Sequence, residues 1–283
     1  MRTLSLGIKL VLLLVLAVLL TSCGFAHKQM NKEFFRKGLI VDRTPADMGL
    51  DYETVPIPVG SRVLHAWFVS APDTTQRKIA VLVYHGVGET VSDWVEVMKY
   101  LHDRGISSMV FDYSAYGRST GEAEVSNLRE DARAAFQAFQ RRTPPDGHRF
   151  LIGFSMGVGI VLESVEEFDA CVDGLVLIGG WGSWKSWLVE EGHVSSWIAW
   201  LLPNAFDNQA NIARVTVPIL IAHGGADDRI PPTNAIDLYR SASGPAELAV
   251  LEGMTHAPCL DDPARCCWTQ VVEFLISTAR RQK

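Results

Sequence analysis

Arg149-Phe-Leu-Ile-Gly153-Phe154-Ser155-Met156-Gly157, followed by Val158-Gly-Ile-Val-Leu-Glu-Ser-Val-Glu-Glu-Phe168, decides how this chain is read. The apolar residues before Gly153 read as a short buried strand, and those after Gly157 as a helix. Between them lies a G-x-S-x-G sequence. A serine on the sharp turn between strand and helix has its Oγ lifted clear of the backbone, and side chains at the flanking positions would collide. The spacing therefore predicts a nucleophile at Ser155.

A serine hydroxyl is a weak nucleophile until a base accepts its proton, so partners are expected further on. Ile219-Leu-Ile-Ala-His-Gly-Gly-Ala-Asp227-Asp-Arg-Ile-Pro231 reads as a buried strand and a loop presenting an acid. Ala249-Val-Leu-Glu-Gly-Met-Thr-His256-Ala-Pro reads as another strand and a loop presenting a histidine. The order Ser155, Asp227, His256 is that of one hydrolase class and differs from the two protease orders built on the same geometry.

With these segments the chain resembles the α/β-hydrolase superfamily, in particular its single-domain, lid-bearing serine esterases and peptidases. The likeness runs from about Pro45 to the C-terminus. It includes Val83-Tyr-His85-Gly86, Phe111-Asp-Tyr-Ser-Ala-Tyr-Gly-Arg-Ser119, the turn at Ser155, the H-G-x-x-D-x-x-I-P segment and the final histidine. The resemblance implies His256 as base and then acid, with Asp227 holding its tautomer. Asp228 is the rival for the acid, and the spacing after His223-Gly224 favours Asp227. The oxyanion needs two backbone donors, expected from Met156 and, by resemblance, Val87. Many relatives carry a polar residue at Val87, and Glu89 nearby is expected to discourage anionic substrates. Asp112, His85 and His223 are read as loop and turn structure, and Ser119 and Ser183 lack the turn context of Ser155.

Elsewhere the pattern is that of a doubly wound, mostly parallel α/β sheet. Tyr52–Val59 and Val63–Val69 read as an antiparallel pair around Gly60-Ser61. Ile79–Tyr84, Ser107–Phe111, Phe150–Gly153, Gly174–Ile178 and Val217–Ala222 are apolar runs suited to central parallel strands. The clearest helix is expected to start at Asn127, with Glu130 completing a capping box and Leu128, Ala132, Ala135, Phe136 and Phe139 on one face. Alternating strands and helices place helices on both faces of the sheet.

Gly180–Arg214 breaks this rhythm and carries Trp181, Trp184, Trp187, Trp197 and Trp200, five of the eight tryptophans. In relatives this connection forms a small helical lid. Trp181, Trp184 and Trp197 are candidate substrate-binding residues lining an apolar acyl or aromatic pocket. Packing of two short helices onto the body, or contact with a membrane interface, would use the same residues.

Arg2 and Lys9 precede the apolar run Leu10–Leu20, which is too short for a comfortable membrane span of about 20 residues. A basic start, a short apolar core and a break describe a secretory signal over residues 1–22. The break, Leu20-Thr-Ser-Cys23-Gly24, resembles a bacterial lipobox, in which Cys23 is acylated and becomes the new N-terminus. The alternative is an uncleaved anchor with Cys23 an ordinary thiol. Both place residues 48–283, the catalytic domain, outside the cytoplasm beside a bilayer in a bacterial envelope, with residues 23–47 as tether.

The chain is 48% hydrophobic and 20% charged, as expected of one large globular domain. Its formal net charge is −6, and loss of residues 1–22 with their two basic and no acidic residues gives −8. That argues against nucleic acid and against an electrostatic grip on anionic lipid. Attachment would rest on the lipid. No Cys/His spacing suggests a metal, and no cofactor is expected. Cys259, Cys266 and Cys267 crowd near His256. Asp262-Pro263 is expected to start a helix with the Cys pair in its first turn, and Cys259 would either bridge to Cys266 or Cys267 or leave three buried thiols.

Two classes of function fit. One is a serine hydrolase acting on ester or thioester bonds of an apolar acyl substrate, with peptide cleavage as its enzymatic rival. The other is a non-catalytic envelope-binding lipoprotein on the same fold. The residues do not name a substrate or an oligomeric state.

Overall fold

The computed structural model describes residues 40–72, 78–122, 124–190, 192, 194–201, 206–256 and 260–281. The signal and lipobox expectations, Cys23 included, lie outside the described residues, as does Cys259.

Among the described residues eight strands form one sheet: β1 (Glu53–Val59), β2 (Arg62–Val69), β3 (Ile79–Tyr84), β4 (Ile106–Phe111), β5 (His148–Phe154), β6 (Gly174–Ile178), β7 (Ile219–Gly224) and β8 (Ala246–Leu251). Their order is β1-β2-β4-β3-β5-β6-β7-β8. The first two pairings, β1 with β2 and β2 with β4, are antiparallel, and the remaining five are parallel. Along β1, Val55 and Ile57 turn inward while Pro56 and Pro58 are exposed. Proline cannot donate to a ladder, so this strand belongs at an edge, where it lies. Every residue of β3 is buried, as a central strand covered on both faces requires. Gly60, at φ +58°, closes the β1–β2 hairpin in a conformation that glycine reaches without strain.

Among the described residues seven α-helices flank the sheet: α1 (Val95–His102), α2 (Val125–Gln140), α3 (Met156–Ser164), α4 (Trp184–Glu190), α5 (Asn208–Ile212), α6 (Thr233–Ser241) and α7 (Trp268–Arg281). On one face α1 and α7 close over Trp67, Val81, Phe150 and Ile152, with Trp94 and Trp268 meeting edge to face at 5.8 Å. On the other, α2, α3 and α6 cover Leu82, Leu151 and Leu177. The apolar face read for α2 is the one buried: Leu128, Ala132, Ala135, Phe136 and Phe139 are all within a few per cent of complete burial.

Two helix starts differ from expectation. Helix α2 begins at Val125 after Glu124, which makes no side-chain cap. Asn127 and Glu130 instead accept hydrogen bonds from Arg62 at 2.7 and 2.9 Å, so a guanidinium on β2 takes the oxygens that the capping box would have used. Pro263 starts only a 3₁₀ turn, Pro263–Arg265, and α7 begins at Trp268. The Cys pair therefore lies between the two, ahead of the first turn of the helix. Cys266 is disulfide-bonded. Cys267 and Cys171 are free thiols, and burial pushes the Cys267 thiol up to about 12.

The tether expected to reach residue 47 is docked from its end. Asp42 and Arg43 donate backbone N–H bonds to Ser92 Oγ at 3.1 and 2.8 Å, and Pro45–Met48 forms a 3₁₀ turn. Among the described residues no helix is long and apolar enough to cross a membrane.

Candidate active site

Parallel strands present their C-terminal ends on one side, and four loops meet there: after β3 (His85–Thr90), β5 (Ser155), β7 (Gly225–Ile230) and β8 (Glu252–His256). Ser155 caps α3 with φ +50° and ψ −113°, a conformation rare for any residue with a Cβ. The turn survives because its neighbours lack side chains. A Cβ on Gly157 would lie 1.9 Å from the Tyr84 carbonyl oxygen of β3, and one on Gly153 would lie 2.8 Å from the Gly157 oxygen. The Ser155 N–H is tied to the Ile178 carbonyl at 2.9 Å.

His256 Nε2 lies 3.0 Å from Ser155 Oγ, and His256 Nδ1 lies 2.8 Å from Asp227 Oδ2. Both serine and histidine are thus engaged in the order that the sequence spacing predicts. The second carboxylate oxygen, Asp227 Oδ1, accepts the Arg229 and Ile230 N–H groups at 2.9 and 2.8 Å. Burial resists ionisation of Asp227, but hydrogen bonds from His223, His256 and Ile230 outweigh it and hold the carboxyl well below the usual carboxylate range. Asp228, the rival acid, is exposed at the cavity rim, and it is Asp227 that bonds the histidine.

His223 makes a contact that the turn-bracing reading did not foresee. Its Nε2 lies 2.8 Å from the Ile230 carbonyl oxygen and 3.2 Å from Asp227 Oδ2. Both neighbours are acceptors, so Nε2 carries the proton. The signal was present as the four-residue spacing between His223 and Asp227, but only the loop's return over β7 turns that spacing into contact.

His85 and Asp112 are structural, as read. Asp112 is fully buried and accepts the Val91 N–H at 2.8 Å, while a Cβ on Gly117 would lie 2.1 Å from its Oδ2. His85 packs on the Tyr113 ring at 4.5 Å, Tyr113 Oη donates to its carbonyl at 3.1 Å, and desolvation lowers its pKa below the ordinary histidine value. Ser119 Oγ donates to the Asp112 carbonyl at 2.7 Å, and Ser183 Oγ accepts the Ser186 N–H at 3.3 Å.

A cavity of about 460 Å³ opens over Ser155 and His256, with Val87, Phe154 and Leu260 among its apolar walls. Val87 is therefore at the cavity surface. Met156 opens α3, so its N–H is one of those at a helix N-terminus that have no intrahelical partner. The rim is acidic: among the described residues Glu89, Asp93, Asp228 and Asp261 line it beside Arg229. Glu89 Oε2 accepts the Gly86 N–H at 2.8 Å and Trp94 Nε1–H at 3.1 Å. Desolvation nevertheless pushes its carboxyl up to about 7.

The tryptophans expected to line the pocket stand elsewhere. Trp181 and Trp184 are 4% and 3% exposed, with ring centroids 5.9 Å apart, and Trp187 stacks on Trp184 at 5.0 Å. They belong to the core shared with Phe206 and α3. Trp197 is 77% exposed. None of the three candidates lines the cavity over Ser155, because the connection after β6 turns its indoles into the body or out to solvent.

A family model described as "Serine aminopeptidase, S33" matches residues 75–208. An uncharacterised protein of Mycobacterium tuberculosis is 30% identical over 208 residues, covering 71% of this chain and 70% of its own. The uncharacterised protein YfhR of Escherichia coli is 25% identical over 224 residues, 77% of this chain and 78% of its own. Among solved structures, the Pyrococcus furiosus esterase Pf2001 superposes with a TM-score of 0.67 at 18% identity, covering 85% of this chain and 97% of that one. Est1E of Butyrivibrio proteoclasticus, solved with ferulic acid bound, gives 0.60 at 15% identity over 81% of this chain and 98% of that one. At these identities the structural likeness speaks to the fold.

Proposed function

Because this chain belongs to the α/β-hydrolase superfamily, we propose that it is a serine hydrolase cleaving ester or thioester bonds of a fairly apolar acyl substrate. The observation carrying this reading is the unbroken path Ser155 Oγ to His256 Nε2, then His256 Nδ1 to Asp227, at 3.0 and 2.8 Å. In this reading His256 Nε2 accepts the Ser155 proton as Oγ adds to the acyl carbon. Asp227 fixes the Nδ1–H tautomer and stabilises the imidazolium. The N–H groups of Met156 and Val87 receive the oxyanion. The tetrahedral intermediate collapses as His256 gives its proton to the leaving alcohol or thiol. Water, deprotonated by the same nitrogen, then releases the acid and restores Ser155.

A second reading, removal of residues from a peptide with a free amino terminus, is favoured by the acidic rim. Asp93, Asp228 and Asp261 would attract an ammonium group near the scissile bond. The rim also disfavours anionic substrates under either reading. Residues 1–23 are proposed to deliver the domain to a bacterial envelope and anchor it there through acylated Cys23.

Labelling with a fluorophosphonate probe, alongside turnover of neutral esters and of aminoacyl anilides, tests both readings. Wild type is expected to label and Ser155→Ala to lose labelling, with ester turnover down by at least about a thousandfold. Undiminished labelling in the folded variant would remove Ser155 as nucleophile. A wild type that neither labels nor turns over either substrate would favour a binding protein.

A further inference from the structure

Trp197 and Trp200 are 77% and 73% exposed, while the other six tryptophans are buried or half-buried. Both stand on the 3₁₀ helix Ser196–Leu201. Side chains three apart in such a helix eclipse one another, so the two indoles form one edge. Exposing two large rings side by side is unfavourable in water unless something covers them. Indole has an apolar body and an N–H that needs a polar partner, a combination suited to the boundary between acyl chains and headgroups.

Asp42 and Arg43 lie beside the catalytic cavity. Asp42 and Arg43 are held on Ser92, next to Asp93, and Arg43 approaches Asp261 to 4.0 Å. Asp93 and Asp261 both line the cavity over Ser155. Cys23 precedes Ile40 by 17 positions, a separation that a fully extended chain spans in at most about 60 Å. The 3₁₀ helix Ser196–Leu201 belongs to the connection that leaves the C-terminal end of β6, the same end of the sheet that carries Ser155. A net charge of −6 leaves apolar insertion, rather than headgroup charge, as the means of contact.

We propose that the Trp197–Trp200 edge seats the mouth of the catalytic cavity on a lipid bilayer, so that the acyl substrate is drawn from the membrane. This rests on the hydrolase reading and on membrane attachment through residues 1–23.

The test reconstitutes the full chain in phosphatidylcholine vesicles and measures tryptophan quenching by phosphatidylcholine brominated on its acyl chains. Wild type is expected to be quenched, and the Trp197→Phe/Trp200→Phe variant to lose most of that quenching. The Trp197→Ser/Trp200→Ser variant is expected to lose turnover of a vesicle-borne long-chain ester while keeping turnover of a soluble short-chain ester. Chain that floats with the vesicles but shows equal emission in brominated and plain lipid overturns the seating and leaves attachment standing. The same unquenched emission with a concentration-dependent dimer would place a second copy on this edge, and also overturns it. Quenching in a chain that hydrolyses neither ester would support the seating and remove the hydrolase reading instead.

Discussion

His223 Nε2 stands 3.2 Å from the carboxylate of Asp227 while also lying 2.8 Å from the Ile230 carbonyl oxygen, so one imidazole ties both ends of the acid loop. Asp227 thereby has a histidine on each side, one facing the core and one facing Ser155. A buried hydrogen bond to a charged group is worth about 1.5–3 kcal/mol. His223→Ala is accordingly expected to lower kcat by roughly ten- to a hundredfold. His223→Gln, which can still donate, should recover part of the loss. Steady-state kinetics of both variants checks this, and wild-type kcat in a folded His223→Ala would deny His223 any positioning role.

The adjacent acids should separate sharply. Asp227→Asn leaves His256 in the wrong tautomer and is expected to cost about ten-thousandfold in turnover. Asp228→Asn removes an exposed rim charge and should change turnover of a neutral ester little. Measuring both variants on one substrate decides, and the reverse ranking would move the acid by one residue.

Glu89 makes stability depend on pH. Its carboxyl titrates near 7 in the folded chain and near about 4.3 when unfolded. Between those values the folded state binds more protons, so stability falls as pH rises through this window and levels off above it. The loss is at most about 4 kcal/mol. Glu89→Gln keeps an acceptor for Gly86 and Trp94 and should flatten this part of the profile. Urea denaturation of wild type and variant at pH 5 and pH 8 provides the comparison; parallel profiles would show that Glu89 does not titrate there.

Trp184 is buried against Trp181 and Trp187, away from the cavity. Trp184→Ala should cost about 3–5 kcal/mol of stability, as large-to-small core changes do. Its kcat/KM should scale down equally across a series of ester chain lengths. A gain with chain length that is flatter than in wild type would instead return Trp184 to the substrate pocket.

The alternating strands, the buried face of α2, the turn at Ser155 and the order of the acid and the base are all legible in the amino-acid sequence. These are local properties: a period of two or 3.6, a continuous apolar run, or a glycine where no side chain fits. Even the glycine requirement has a non-local cause, since Gly157 packs against the Tyr84 carbonyl of another strand. The remaining features depend on which distant groups arrive at the same place in the folded chain. Arg62 reached across from β2 to claim Asn127 and Glu130 from the expected helix cap. The loop after β7 folded back to bring His223 onto Asp227, and four acids separated in sequence converged on one rim. The tryptophans of the lid connection have similar spacing and composition, yet Trp184 is enclosed and Trp197 is bare. Amphipathic spacing fixes which residues share a side of a helix; which side meets the body is set by the packing of everything else.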